Sequence, residues 1–340
     1  MSSQNYSTEK QYHVYGIGNA LVDTEITLDD ADLHAMKVEK GVMTLVDEER
    51  QHALINHLTH HLVASRKASG GSAANTVIAA SYFGCKNVYS CKVADDDNGN
   101  FYINDLKAAG VAYPSHISFN GGITGKCLVM ITPDAERTMN TFLGISSTLS
   151  TDDLDISAIA KSEYVYIEGY LVTSTTGRAA AIALRKHAEA SNTRTAISLS
   201  DPAMVQFFRD GLLEMIGDGV DLLFCNRDEA MEFTKTNDID AAATALKKYS
   251  KQFAITCGND GALIFDGEHL IHVAANKVKA IDTNGAGDMF AGAFLFAITQ
   301  GHDYKKAGEF ASLAASKVVS QYGPRLKAEQ HGELKNIFFS

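Results

Sequence analysis

The sequence predicts an α/β fold: a Rossmann-like, three-layer α/β/α core of mostly parallel sheet, with a small β-rich lid. Two observations carry this. Apolar strand-like runs alternate with helical segments through the second half of the 340-residue chain, a pattern that implies a parallel sheet covered on both faces. Two stretches, 24–47 and 114–143, leave and rejoin that alternation and are rich in β-branched residues and turn formers, so they can pair into a sheet over one end of the core. The core is therefore expected at 12–23, 48–113 and 144–340, the lid at 24–47 and 114–143, and a flexible tail at 1–11.

In chain order, "YHVYGIG" (12–18) reads as the first strand. "SAANTVIAASYFG" (72–84) reads as a helix opened by Gly70-Gly71-Ser72 and stopped by Gly84. "NVYSCKVA" (87–94) is a strand, and "DDDNG" after it is a solvated turn. Its acids lack the alternate spacing and closing Glu of a calcium loop. Strands follow at 163–168, 195–199, 221–225 and 253–257, with helices at 177–190, 204–216, 227–235 and 240–250 between them. "GNDGALIFDG" then reads as a hairpin turning at Asn259-Asp260-Gly261.

A net charge of -11 and the absence of any Lys/Arg run argue against a nucleic-acid or anionic-membrane surface. No apolar stretch is long enough to span a bilayer, and "MSSQNYSTEK" has no signal-peptide core. The five cysteines show no Cys-x-x-Cys spacing, which fits free thiols in a reducing cytoplasm rather than zinc or redox chemistry. A monomer or homodimer is expected.

The chemistry concentrates in turns after strands. In "AIDTNGAGDMFAGAFLFAI" (280–298), Gly285-Ala286-Gly287 precedes a long apolar helix. Helix N-termini expose unpaired amides and partial positive charge, and the bare loop lets an anion approach them. Asp288 would sit in the first turn, where a carboxylate suits general-base work on a hydroxyl. Phosphoryl transfer needs those two parts, a cradle and a group orienting the nucleophile. A tight turn with a helix-start carboxylate is the plainer alternative.

Asn226 and Glu229 share one face of a starting helix, where they could hold waters around Mg²⁺ on nucleotide phosphates; taken alone, a capping box is the plainer explanation. Thr256, Gly258 and Gly261 in "TCGNDG" could lay backbone against a nucleotide, or simply turn a hairpin. "GIGNALVD" (16–23) lacks the third glycine of a dinucleotide fingerprint. What remains there is Asn19 and Asp23 just past a strand end, where a carboxylate can accept from the two hydroxyls of a sugar diol. Gly70, Gly71 and Asn75 in "GGSAAN" add a helix start and a second hydroxyl reader. Ligands of open α/β sheets bind outside the carboxyl ends of the strands, so these turns converge on one expected site.

"GGSAAN" and "DTNGAGD" resemble the two signatures of the ribokinase-like (PfkB) carbohydrate and nucleoside kinases. With "NRDE", "TCGNDG" and "GNALVD" the resemblance spans about residues 12–325. Within the family, the Asn in "DTNGAGD" and the stretches "TGKC", "YIEGYLVT", "SLSDP" and "VDLLFCNRDEA" resemble the adenosine-kinase branch, in the same order. The resemblance implies a ribokinase-type fold and an ATP-dependent kinase acting on the primary hydroxyl of a ribonucleoside, adenosine to AMP. A sugar kinase (ribose, fructose or a keto-deoxy sugar acid) and an inosine or guanosine kinase are the alternatives. A catalytically idle binding module is the remote one, because both base and anion hole persist.

It further implies Asp288 as the base, Gly285, Ala286 and Gly287 as the anion hole, and Arg137 of "DAERTM" as a lid arginine that reaches the phosphates on closure. Asn226 and Glu229 would serve the Mg²⁺-nucleotide through water. Thr256, Gly258 and Gly261 would lie on the nucleotide. Asn19, Asp23, Gly70, Gly71, Asn75, Tyr170 and Asn284 would hold the acceptor. ATP, Mg²⁺ and a monovalent cation such as K⁺ are the implied cofactors. Three departures touch the acceptor: Asp201 stands where alanine is usual, "GVMTLV" lacks a polar residue where Gln is often found, and only Tyr170 or Leu171 is offered for stacking on a base.

Overall fold

The computed structural model describes residues 10–59, 66–114, 121–134 and 136–340. Its first half holds β1 (Tyr12–Ile17), β2 (Leu21–Thr27), α1 (Asp30–Ala35), β3 (Met43–Leu45), α2 (Glu48–His57), β4 (Arg66–Gly70), α3 (Ser72–Phe83), β5 (Asn87–Ser90), α4 (Asp97–Ala108), β6 (Val111–Ala112), β7 (Gly125–Ile131) and β8 (Arg137–Phe142). The second half continues with α5 (Ile156–Ala160), β9 (Ser162–Glu168), α6 (Thr175–Ala190), β10 (Arg194–Ser198), α7 (Pro202–Ile216), β11 (Val220–Asn226), α8 (Arg227–Thr234), α9 (Ile239–Leu246), β12 (Ser250–Thr256), β13 (Ala262–Phe265), β14 (Leu270–Val273), α10 (Ala286–Thr299), α11 (Tyr304–Val318) and α12 (Ala328–Phe339).

A nine-stranded sheet runs β14-β13-β12-β11-β10-β9-β1-β5-β6. Its strands from β12 to β6 are parallel, and the β12–β13–β14 hairpins extend one edge antiparallel. Period-2 alternation divides each strand between two cores. Tyr164, Tyr166, Leu222 and Phe224 join the cluster that contains α3, α10 and α11 side chains. Val165, Ile167, Leu223 and Cys225 join the cluster with α6, α7 and α9 side chains. Burial on both faces is why these runs read as continuous apolar sequence. The expected three-layer α/β core is therefore present, and its structural relatives share it.

α10 is buried on all sides from Met289 to Ile298. It packs against α3 through Gly292, where a Cβ would lie 2.5 Å from the Thr76 carbonyl. That close crossing brings the first turn of α10 to the first turn of α3.

The second sheet runs β3-β8-β7-β2-β4. One face packs Ile26, Leu128 and Met130 on Leu33, Leu54 and Leu58 from the region of α1 and α2. It is larger than the expected 24–47 and 114–143: it begins at Leu21 and takes in β4, while α2 at 48–57 packs against β8. Of the expected core segment 48–113, α2 and β4 therefore belong with the second sheet, because β4 pairs with β2 and α2 packs on β8. Asp23 accordingly lies inside β2, opposite Ala68 and Cys127, and not in a turn past a strand end. The run at 95–99 starts α4 instead of forming a free turn, with Asp96 as its N-cap accepting from Gly99 N and from Thr124 N and Oγ1. The strand expected at 87–94 stops at Ser90. Of the tail, residues 1–9 lie outside the described residues. Cys85, Cys91, Cys127 and Cys225 are buried free thiols and Cys257 is partly buried.

Candidate active site

A cleft of about 390 Å³ is lined by strand ends of the large sheet and by residues of the second sheet. Asp288 lies at its floor, in the first turn of α10. Its Oδ1 accepts from Ser72 Oγ at 2.6 Å and its Oδ2 from Asn75 Nδ2 at 3.1 Å. Burial raises its carboxyl to about 6, against those two hydrogen bonds and the Arg137 charge, which favour the ionised form. Asn75 is buried and lines the cleft, and its Oδ1 has no hydrogen-bond partner among the described residues.

Gly285 caps α10 in the left-handed region at φ 72°, and a Cβ there would lie 2.1 Å from the Pro324 carbonyl. Gly287 differs: beyond its own helical turn, a Cβ on it would meet no atom of the described residues within 4 Å. Since Gly287 lines the cleft, that space is open for a ligand. Ala286 lies between them on the same wall. At the mouth of α10 no hydrogen bond is made by the Gly285 and Gly287 amides among the described residues, while the Ala286 amide donates to the Thr283 carbonyl at a long 3.4 Å.

Arg137 crosses from β8 to this loop. Its Nη1 donates to Asn284 Oδ1 (2.8 Å), its Nε donates to Thr283 Oγ1 (3.3 Å), and it stands 3.9 Å from the fully buried Asp282. Asp282 in turn accepts from Asn284 N and Gly323 N, fixing the loop from both sides. The side-chain oxygen of Asn284 is thus committed to Arg137.

On the opposite wall Asp23 is buried, and its carboxyl is pushed up to about 8, first by burial and then by Glu25, with Arg325 opposing. Gly70 does not line the cleft; a Cβ on it would lie 2.1 Å from Asp23 Oδ2, so it makes room for that carboxylate. Gly71, at φ 94°, lines the cleft and lies against the Asn19 carbonyl. Asn19 is held by Glu168, whose Oε1 accepts from Asn19 N (3.1 Å) and Nδ2 (3.0 Å) and whose Oε2 accepts from Ala73 N (2.8 Å).

Asn226 and Glu229 form the capping box. Asn226 Oδ1 accepts from Glu229 N, Glu229 Oε2 accepts from Asn226 N, and Asn226 Nδ2 donates to Glu229 Oε1. Both also line the cleft, so cap and site coincide. Burial pushes the Glu229 carboxyl up to about 8. Thr256 lines the cleft, but Gly258 and Gly261 do not. Gly261 is required by the hairpin, since a Cβ would lie 2.0 Å from the Val273 carbonyl at φ 91°. Tyr170 lines the cleft and donates to Asp201 Oδ2 at 3.4 Å, while Leu171 is buried in the core below. Asp201 also caps α7, accepting from Ala203 N.

Three residues at the site escape a reading by motif. Ser72 looks like any helix-start serine; Glu168 ends a strand inside "YIEGYLVT"; Asp282 opens "DTNGAGD" and looks like a turn former. The only signal for the last two was an acid adjoining a cluster already singled out.

A bare helix mouth with a buried carboxylate beside it, roofed by an arginine from a second sheet, defines a site for moving a phosphoryl group. The comparisons agree. Residues 36–331 match the pfkB family of carbohydrate kinases. The adenosine kinase of Saccharomyces cerevisiae is 25% identical over 334 residues, covering 92% of this chain and 96% of that one. The adenosine kinase structure from Sinorhizobium meliloti is 33% identical with a TM-score of 0.90, covering 96% of this chain and 99% of that one. A probable sugar kinase protein from Rhizobium etli CFN 42 is 31% identical with a TM-score of 0.89, covering 97% and 99%. The chain belongs to the pfkB carbohydrate kinase family and is an ATP-dependent kinase.

Proposed function

We propose that the protein transfers the γ-phosphoryl group of ATP to the primary hydroxyl of a ribonucleoside, adenosine first among them. The observation that carries this is the Asp288 carboxylate, held by Ser72 and Asn75 at the mouth of α10 and opening on the cleft that Asp23 shares. The acceptor's vicinal hydroxyls donate to Asp23 and to Asn75 Oδ1, which sets its primary hydroxyl at Asp288. Asp288 takes the hydroxyl proton as the oxygen attacks in line. Amides of Gly285, Ala286 and Gly287 stabilise charge on the transferred group. Arg137, fixed by Asn284, adds a cation and keeps the second sheet over the cleft, excluding water.

Among the described residues no group of three or more acids, histidines or cysteines is placed to hold a metal directly. The buried Asn226–Glu229 pair fits a Mg²⁺ held through water, and such an ion neutralises nucleotide phosphate charge when bound. The surroundings of Asp282, already donated to by two backbone amides and facing Arg137, do not fit K⁺, and no step is assigned to one. No helix among the described residues is long and apolar enough to cross a membrane. The unpaired cysteines support a cytoplasmic location, and a monomer or homodimer is proposed.

A sugar kinase is the second reading, supported by the likeness to the Rhizobium etli protein. A coupled ADP-release assay over adenosine, inosine, guanosine, ribose and fructose separates them. Saturation by adenosine at the lowest concentration is expected; saturation only by a free sugar overturns the nucleoside reading.

A further inference from the structure

We propose that Arg325, outside the cleft, is a positioning residue for the transfer: it seats Asp23 from behind and braces the loop behind the anion cradle. The inference rests on the reading of Asp23 as the acceptor-binding carboxylate. Arg325 lies in the segment between α11 and α12. Its Nη2 donates to Asp105 Oδ2 of α4 at 2.8 Å and to Ser69 Oγ of β4 at 3.1 Å, and Ser69 itself donates to Asp105. Ser69 precedes Gly70, whose bare Cα supports the Asp23 carboxylate. Two residues back along the same segment, Gly323 N donates to Asp282 (2.9 Å), and the Pro324 carbonyl abuts Gly285. One short segment therefore ties the strand under Asp23 to the loop that shapes the cradle.

Charge adds to the brace. The charged groups acting on Asp23 are Glu25 on its own strand, Arg137 on β8, Asp288 on α10 and Arg325, with the Cys127 thiol opposite on β7. Of the two cations, Arg325 has the larger effect, favouring the ionised form that accepts hydroxyls. Arg137 is committed to the Thr283–Asn284 loop.

The test compares Arg325→Met, Arg325→Lys and wild type with whichever acceptor the ADP-release screen selects. A sugar acceptor would thus sink the nucleoside reading and leave this one testable. For Arg325→Met we expect kcat/KM for the acceptor to fall about tenfold or more, and the upper acid-side step of its pH profile to move to higher pH. KM for ATP should stay within about twofold. Arg325→Lys should return the pH step towards wild type while kcat stays low, because the ammonium restores charge but its shorter stem stops short of the position from which Arg325 Nη2 alone donates to both Ser69 and Asp105. A folded Arg325→Met with unchanged kcat/KM and an unmoved pH step overturns the proposal. So does an equal rise in both KM values with a lower melting temperature and no pH effect, the mark of a purely structural arginine. If Arg325→Met does not fold, Arg325→Lys decides alone: low kcat with unchanged ATP KM supports the brace, and wild-type kcat rejects it.

Discussion

Ser72 donates its hydroxyl to Asp288 at 2.6 Å, across 216 positions of sequence. The bond exists because Gly292 lets α10 cross α3 closely enough for their first turns to meet. It aims one carboxylate oxygen and leaves the group beside the bare amides of α10. Asp288→Asn should keep the fold, since the amide is isosteric, and lose turnover by roughly 10³-fold or more because no base remains. Steady-state kcat beside a melting curve checks this; wild-type turnover would remove Asp288 from the mechanism.

The acid side of the activity profile should carry two steps. In the proposed mechanism both Asp23 and Asp288 act as ionised carboxylates, and burial raises them to about 8 and about 6. The profile of kcat/KM for the acceptor should therefore fall with decreasing pH first through the upper value and then through the lower. Ser72→Ala removes a bond that favours ionised Asp288, so it should shift only the lower step, to higher pH.

Gly285 and Gly287 should fail in different ways when replaced by alanine. At Gly285 the left-handed backbone and the Pro324 carbonyl 2.1 Å from a Cβ make the substitution a folding defect of at least about 1–3 kcal/mol. At Gly287 nothing beyond its own helical turn lies within 4 Å of a Cβ, so stability should hold. The methyl would instead enter the space where phosphate would sit, lowering kcat/KM for ATP. Equal losses of stability in both variants would contradict this division.

Stability itself should fall between pH 6.5 and 8. Burial raises Asp23, Glu168 and Glu229 to about 8, 7 and 8. In this window the folded chain holds more protons than the unfolded one, whose carboxyls ionise near 4, so raising the pH favours unfolding. The buried His331, lowered to about 4, acts oppositely, but its effect is largely complete by pH 6.5. Thermal melts across that range, without ligand, should show a decreasing melting temperature; a rising one would mean these groups are ionised at little cost.

Much of the site was legible because its parts are local. A glycine loop running into a helix, followed by an acid, has one backbone consequence wherever it occurs, and Asp288, Gly285 and Gly287 lie where that reading put them. The capping box at Asn226 and Glu229 is equally local, and it formed. Gly70 and Gly261 were read as ligand-facing, yet each makes room for a neighbour: Asp23 for Gly70, the Val273 carbonyl for Gly261. A glycine states that space is needed and not what fills it.

The chain's local chemistry was enough for the parallel α/β core, the anion-receptive helix mouth and the carboxylate within it, because propensity, capping and apolar period act over a few residues. Tertiary contacts chose the partners. Register set Asp23 inside β2 opposite Cys127, helix crossing brought Ser72 and Asn75 to Asp288, and the segment before α12 carried Arg325 to Ser69 and Asp105. Each pairing joins groups far apart in sequence, so its geometry is fixed only when sheets and helices pack.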